Sequence, residues 1–252
     1  QNNWIDAELK SGKSPGAFAA STIPSIHPYI LTNFHGKTRD VMTLAHELGH
    51  GCHQYLSSQK GLLLSSTPLT LAETASVFGE MMTFRSLLED TNQENKKFLL
   101  ASKIEDMINT VVRQISFFEF EKLIHSERKK GELSPDQINE FWMKTQSESL
   151  GPNIKLSNDY KYFWTYIPHF IHTPFYVYAY AFGDCLVNIL IQLYDEGLPN
   201  FKDNYIDLLK SGGSKHYSEV LKPFNVNLKN QESWQKGLSM ISNLIDEFEN
   251  SL

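Results

Sequence analysis

The sequence predicts a mainly α-helical fold with a small β element near its N-terminus. Apolar residues recur at helical spacing through most of the chain after the first 36 residues, and caps and stops separate these segments. The residues typical of a strand are concentrated in residues 27–34, HPYILTNF. We find no internal repeat, so we expect one multi-helix domain over residues 1–252.

The N-terminal region is expected to be irregular and strand-like. Pro15 and Gly16 punctuate it, and Gly36 ends it. Thr38 has the side chain of a helix N-cap and predicts a first helix to about Ser58. Residues 61–68 are predicted to form a loop.

The rest of the chain is predicted to be a series of helices. Ser134 followed by Pro135 is typical of a cap with proline at the first helical position. Lys129–Lys130–Gly131 indicates the end of the preceding helix. The expected helices cover residues 70–88, 94–128, 135–149, 173–196, 200–210, 216–222 and 231–249.

Composition excludes several classes of function. The net charge of −6 and the pI near 5.9 argue against nucleic acid or an anionic membrane as the main partner. No run of about 20 apolar residues predicts a membrane span. Cys52 and Cys185 are expected to be reduced thiols of a cytoplasmic protein. The chain begins without Met or a signal peptide, which suggests a piece of a longer protein.

A His-Glu-x-x-His motif lies within residues 43–50, TLAHELGH. Residues four apart share a helix face, so His46 and His50 can reach one metal ion, with Glu47 placed to take a proton from a bound water. The alternative is a polar helix face with two surface histidines. The apolar flanking residues weaken that alternative, because buried histidines and a carboxylate are costly unless something binds them.

A catalytic zinc ion usually has three protein ligands, so one more is needed. Leu56 stands where a three-histidine motif would place its third histidine, and His53 is expected to be a core or supporting group. Glu73, on the next predicted helix, is the best candidate. Alternatively, Thr70 and Glu73 form a capping box at the start of that helix. Glu80 lies on the same face and could orient a ligand histidine.

His46-Glu47-Leu48-Gly49-His50 followed by Leu71-Ala72-Glu73-Thr74-Ala75-Ser76 resembles oligoendopeptidase F, a branch of the thimet-oligopeptidase family of zinc metallopeptidases. The resemblance implies a zincin-like catalytic domain. It also implies one Zn²⁺ per chain on His46, His50 and Glu73, with Glu47 as general base and acid. Cobalt or manganese would fit the same ligands.

The segment from Ile167 to Tyr180 resembles the C-terminal His and Tyr motif of this family, which contacts substrate and stabilises the oxyanion. The resemblance carries over best to His169 and Tyr176 as catalytic residues. Tyr180, which would share a helix face with Tyr176, is a weaker candidate. His172 replaces His169 if the alignment shifts. An aromatic core stripe is the alternative interpretation of the whole segment.

The resemblance extends to the terminal helix around Trp234 and Gly237. Full-length members also have a helical N-terminal half, which we expect to be missing here and to be a partner of this piece. In the family a strand before the metal helix borders the cleft, so residues 29–34 could lie beside an extended substrate; an ordinary edge strand is the alternative.

The predicted function is therefore zinc-dependent hydrolysis of internal bonds in short oligopeptides, by a metal-bound water that Glu47 activates. A carboxypeptidase of the same helical superfamily and a non-catalytic peptide-binding fragment are the alternatives.

Overall fold

The computed structural model describes residues 3–251 and is mainly helical, with a three-stranded sheet near the N-terminus, which confirms the predicted fold class. The chain forms two compact units. The first contains the described residues up to Ala101 and those from Gly183 onward, and the second is Ser102–Phe182. The single domain over residues 1–252 stays a prediction.

The small sheet consists of β1 (Ile5–Asp6), β2 (Phe18–Ala20) and β3 (Tyr29–Leu31). β3 is the central strand; it pairs parallel with β1 and antiparallel with β2, with Ile30 opposite both Ile5 and Ala19. The predicted strand in residues 27–34 is therefore confirmed, and its two partners are too short to show a period-two pattern.

Lys13 ties the ends of this sheet together. Its side chain is only 6% exposed, and Nζ donates hydrogen bonds to the carbonyl oxygens of Asp6, Glu8 and Thr32 at 3.0, 2.8 and 2.9 Å. Nζ also contacts Oδ1 of Asp6 at 3.0 Å. A buried ammonium group with four oxygen partners offsets much of its desolvation cost and fixes the chain between β1 and β2.

The first helix, α1 (Thr38–Ser57), begins at Thr38, but Thr38 is not its cap. Lys37 holds the N-cap position, and the stabilising side chain is Asp40, whose Oδ2 accepts the backbone N–H groups of His35 and Lys37 at 2.8 and 3.0 Å. The prediction that Thr38 caps the helix was wrong because a carboxylate in the first turn satisfies the preceding N–H groups instead.

The predicted helix over residues 70–88 is broken into α2 (Leu69–Ala72) and α3 (Ser76–Glu89). Two side chains hydrogen-bond the backbone at the break. Oγ1 of Thr74 donates to the carbonyl of Leu71 at 2.7 Å, and Oγ of Ser76 donates to the carbonyl of Glu73 at 3.2 Å. Such local bonds compete with the regular helix pattern, which explains why a sequence with helical spacing forms a turn here.

Most of the later helices were placed correctly. The long helix predicted over residues 94–128 is α4 (Gln93–Ile108) and α5 (Gln114–Arg128), joined by a π-helical turn at Asn109–Arg113. The capping box of Ser134 and Gln137 starts the next helix. The remaining helices are α6 (Pro135–Leu150), α7 (His169–His172), α8 (Tyr178–Asp195), α9 (Phe201–Lys210), α10 (Tyr217–Val220) and α11 (Gln231–Asn250). Short 3₁₀ helices cover Ser58–Lys60, Asn158–Tyr166 and Lys222–Phe224.

The predicted helix over residues 173–196 begins later than expected. Phe175 has a left-handed backbone, with φ of +60°, and the N–H of Tyr176 donates to the carbonyl of Thr173 at 3.2 Å. Residues 173–176 therefore form a β-turn with Pro174 at its second position. This turn delays the regular helix until Tyr178.

The second unit has its own aromatic core. Trp142 is fully buried, and its indole N–H donates to the carbonyl of Tyr160 at 2.9 Å. The buried members of this core are Phe117, Phe120, Trp142, Ile167 and Val177. Within residues 3–251, no helix has both the length and the apolar content that crossing a membrane requires.

Candidate metal centre

Three side chains of the first unit bring potential metal donors together. Nε2 of His46 and Nε2 of His50 each lie 3.4 Å from Oε2 of Glu73. One donor atom from each residue lies within 4.8 Å of the other two, and all three side chains are partly buried. Two imidazoles and a carboxylate are the donor set of many catalytic zinc sites, so the residues present fit the metal that the motif predicts.

The break between α2 and α3 places Glu73. Glu73 is the C-cap of α2, directly after Ala72, and its Oε2 accepts a hydrogen bond from Oγ of Ser76 at 2.7 Å. The capping box with Thr70 is not formed, since α2 begins at Leu69 and Pro68 is at its N-cap without a side-chain bond. The carboxylate is thereby aimed at the two histidines rather than at its own helix start.

Gly49 and Gly183 leave the space that Glu73 needs. A Cβ at Gly49 would collide with the carbonyl oxygen of Ala75 and come 2.5 Å from Cα of Ser76, so α1 lies directly against the backbone after Glu73. A Cβ at Gly183 would lie 2.8 Å from Cβ of Glu73. Neither glycine was singled out from the sequence, because a glycine within a helix can be recognised as necessary only when the segment packed against it is known.

Glu80 contacts the other side of the His46 ring, with Oε2 3.2 Å from Nδ1. Burial lowers the pKa of His46, but the hydrogen bonds and charges of Glu73 and Glu80 outweigh it and raise the pKa to about 9. Burial lowers the pKa of His50, and the charge of His46 adds to this, so the opposing charge of Glu73 does not raise it above the ordinary value. Burial raises the pKa of Glu73, but the two histidines and Ser76 outweigh this and lower it to about 2.

Glu47 lies on α1 beside these donors and is 7% exposed. Burial raises the pKa of its carboxyl group above the ordinary value, and the opposing charge of His46 offsets this only in part. Its Oε2 has no hydrogen-bond partner among the residues that the structure describes. A buried carboxyl oxygen without a partner is costly, and the arrangement suits a group that exchanges a proton with a bound molecule.

His53 is not part of the donor group. It is buried, and Nε2 lies 3.2 Å from Oγ1 of Thr67. Burial, with smaller effects from neighbouring groups, lowers the pKa of His53 to about 4, so the ring is neutral at pH 7. This placement matches its prediction as a core group.

The predicted substrate-binding residues lie in the second unit, where His169, Tyr176 and Tyr180 form what we call the aromatic cluster. The His169 ring stacks on Tyr176 with centroids 5.6 Å apart, and Oη of Tyr180 lies 3.3 Å from Nε2 of His169. The Tyr176 and Tyr180 rings are 5.2 Å apart. Tyr176 precedes α8, so it does not share a face of one regular helix with Tyr180 as predicted, although the two rings meet.

The comparisons with known proteins cover nearly the whole chain. A family model described as Peptidase family M3 matches residues 1–240. Oligopeptidase PepF of Bacillus subtilis is 32% identical over 100% of the chain and 38% of the relative. Oligoendopeptidase F (chromosomal) of Lactococcus lactis is 29% identical over 98% and 41%. A crystal structure of a Chlamydophila abortus protein is 30% identical with a TM-score of 0.84, over 99% of this chain and 42% of that one.

Proposed function

The chain belongs to peptidase family M3, and we propose from this membership that it is the catalytic part of a zinc-dependent endopeptidase acting on short peptides. The observation that carries the proposal is the convergence of His46, His50 and Glu73 beside the buried carboxyl group of Glu47. The chain spans about 40% of the curated relatives that it matches, so the activity of the whole protein is part of the proposal.

In the proposed site His46, His50 and Glu73 hold one zinc ion. Bound zinc would act as a Lewis acid on both the attacking water and the scissile carbonyl. Glu80 would fix the His46 ring by accepting a hydrogen bond from Nδ1–H, so that Nε2 is the nitrogen whose proton zinc would replace. Ser76, also on α3, holds the Glu73 carboxylate by donating a hydrogen bond to its Oε2.

Glu47 is the proposed general base and acid. Its raised carboxyl pKa brings it nearer the pH at which it would accept a proton from water and return it to the leaving amine. The unpartnered Oε2 is available for that proton. Removing the carboxylate while keeping its shape should therefore abolish turnover and leave metal binding intact.

The aromatic cluster is proposed to bind substrate and stabilise the oxyanion. Support comes from the contact between Oη of Tyr180 and Nε2 of His169, from the stacking of Tyr176 on His169 and from the motif resemblance, with His169 and Tyr176 as the principal residues. Such donors would act on charge that develops only during the reaction, so their loss should lower kcat more than it raises KM.

The experiment is hydrolysis of an internally quenched peptide blocked at both ends. The zinc-loaded chain is compared with the Glu47→Gln variant and with chelator-treated protein. We expect the variant and the chelated protein to lose at least about 1,000-fold in kcat, with zinc content near one per chain in the variant. Equal rates in wild type and variant would overturn the catalytic proposal.

The same experiment separates the alternatives. Release of a C-terminal residue from a peptide with a free carboxyl terminus, without cleavage of the blocked peptide, would indicate a carboxypeptidase. Peptide binding by the zinc-loaded chain without any turnover would indicate a binding fragment. A protein without stoichiometric zinc after dialysis into metal-free buffer would contradict the ligand assignment.

A further inference from the structure

The turn at residues 173–176 has a residue poorly suited to its backbone. In a turn with proline at the second position and a positive φ at the third, the third residue is usually glycine or asparagine. Here it is Phe175, with φ of +60°. A bulky residue in the left-handed region persists only where its surroundings hold it there.

Two side chains of α5, one helical turn apart, hold Phe175 in this conformation. Oε1 of Glu121 accepts the backbone N–H of Phe175 at 2.7 Å. The ring of His125 packs on the Phe175 ring, with centroids 4.6 Å apart. The backbone and the side chain of Phe175 are therefore both fixed by the same helix.

The residues after Phe175 connect this turn to the aromatic cluster. Tyr176 follows directly, and its ring stacks on His169, which in turn contacts Oη of Tyr180. Val177 is fully buried in the core of the second unit. With Val177 anchored, the dihedral angles at Phe175 and Tyr176 decide where the Tyr176 ring lies.

Burying the carboxyl group of Glu121 costs folding free energy, so stability alone does not explain this residue. It is 3% exposed, and its second carboxyl oxygen, Oε2, has no hydrogen-bond partner among the described residues. Burial raises the pKa of this carboxyl group, against the opposing effects of the Phe175 N–H, His125 and His169. Buried, half-satisfied polar groups are typical of functional regions rather than of passive core.

We propose that Glu121 is a positioning residue for the aromatic cluster: by holding the Phe175 N–H it fixes the turn that presents Tyr176 beside His169. This inference rests on the proposed function, since the cluster must bind substrate for its placement to matter in turnover. The property of Glu121 that matters is the length of its side chain, which lets a carboxyl oxygen reach the Phe175 amide; its negative charge is secondary.

Two conservative substitutions separate reach from charge. Glu121→Gln keeps the length and an acceptor oxygen but loses the charge, whereas Glu121→Asp keeps the charge but is one methylene shorter. Ser116→Ala is the control, because Ser116 is a buried polar residue of the same helix that accepts from Gln146 at 2.6 Å and does not touch the turn.

The first readout is amide hydrogen exchange in the zinc-loaded chain. We expect the Phe175 amide to exchange at least about tenfold faster in Glu121→Asp and within about threefold of wild type in Glu121→Gln and Ser116→Ala. This readout needs no turnover, so it tests the positioning role even if the proposed peptidase activity fails. Unchanged exchange in the aspartate variant would overturn the inference.

The second readout is steady-state hydrolysis of the quenched peptide. We expect Glu121→Asp to lower kcat by about 10- to 100-fold with little change in KM, as misplaced catalytic groups do. The glutamine variant should restore most of that loss. If the glutamine variant loses as much as the aspartate variant, or if the aspartate variant matches Ser116→Ala, the positioning role is contradicted. Absence of turnover in wild type would instead refute the proposed function.

Discussion

Oε2 of Glu80 lies 3.2 Å from Nδ1 of His46, on the opposite side of the ring from the nitrogen that faces Glu73. The two carboxylates come from one stretch of chain, seven residues apart, and they contact the imidazole from both sides. A histidine held in this way has its ring orientation fixed, with Nδ1 kept toward Glu80 and Nε2 toward the other candidate ligands.

Replacing Glu80 should therefore weaken zinc binding without removing a ligand. For Glu80→Gln we expect zinc affinity to fall by about 10- to 100-fold, because the ring keeps its place less firmly and Nε2 becomes a poorer donor. Competition with a chromogenic chelator measures the change. Glu89→Gln, at the exposed end of the same helix, is the control and should bind zinc as wild type does. Equal affinities for both variants would contradict the role of Glu80.

Gly49→Ala should destabilise the protein and disturb the metal site together. The added Cβ meets the backbone at Ala75 and Ser76, which cannot rotate away, so we expect a loss of about 2 kcal/mol in the free energy of unfolding. Urea denaturation of the metal-free protein measures it, and zinc affinity should fall as Glu73 shifts.

Gly131→Ala is the matched control for that experiment, because a Cβ there meets nothing within 4 Å. We expect it to leave both zinc affinity and the unfolding midpoint close to wild type. A tolerated alanine at Gly49 would mean that the close approach of α1 to the chain after Glu73 is not required.

His53 should make the protein sensitive to acid. Its pKa in the folded state is about 4, below the ordinary value of 6.5, so the stability it contributes is complete above pH 6.5 and falls as the pH drops toward 4. Between pH 7.5 and pH 5 this histidine alone should cost about 2 kcal/mol of unfolding free energy. In the His53→Gln variant residue 53 cannot titrate, so over the same pH range the variant should lose about 2 kcal/mol less unfolding free energy than wild type.

The measurement is a series of urea denaturation curves for wild type and His53→Gln at the two pH values, without metal. The difference between the two proteins' pH effects isolates His53 from the other titrating groups. Parallel losses in the two proteins would show that His53 is not held neutral in the folded state.

Lys13→Met should loosen the small sheet. Methionine keeps most of the volume but leaves the carbonyl oxygens of Asp6, Glu8 and Thr32 without their shared donor. We expect a loss of about 2 kcal/mol in unfolding free energy and faster amide exchange in β1 and β3. Lys10→Met is the control; Lys10 is exposed and pairs with Asp6 and Glu8, so it should leave the unfolding midpoint unchanged.

The sequence was sufficient for the parts of the fold that depend on local pattern. Helices with clear caps, such as α6 after Ser134, follow from a capping box that the residues themselves provide. The shared face of His46 and His50 in the candidate site was also predictable, since their spacing on α1 places both rings on one side of the helix.

The breaks in helices were not predicted, because apolar spacing does not show which side chains will hydrogen-bond the backbone. The break after Glu73 contains local hydrogen bonds from Thr74 and Ser76 to the backbone, and the turn at Phe175 is held by Glu121, 54 residues earlier in the chain. In both places the apolar spacing favours a continuous helix, and these hydrogen bonds compete with it. Both breaks place residues of the candidate site.

The seven-residue interval between Glu73 and Glu80 also limits how this sequence can vary in length. One residue added or removed within it would rotate Glu80 by about 100° around α3 and carry its carboxylate away from His46. The loop before it is different: Leu62 and Leu63 are 69% and 92% exposed, so extra residues there would extend into solvent. Insertions and deletions among related chains should therefore collect at Leu62–Leu63 and be absent between Glu73 and Glu80.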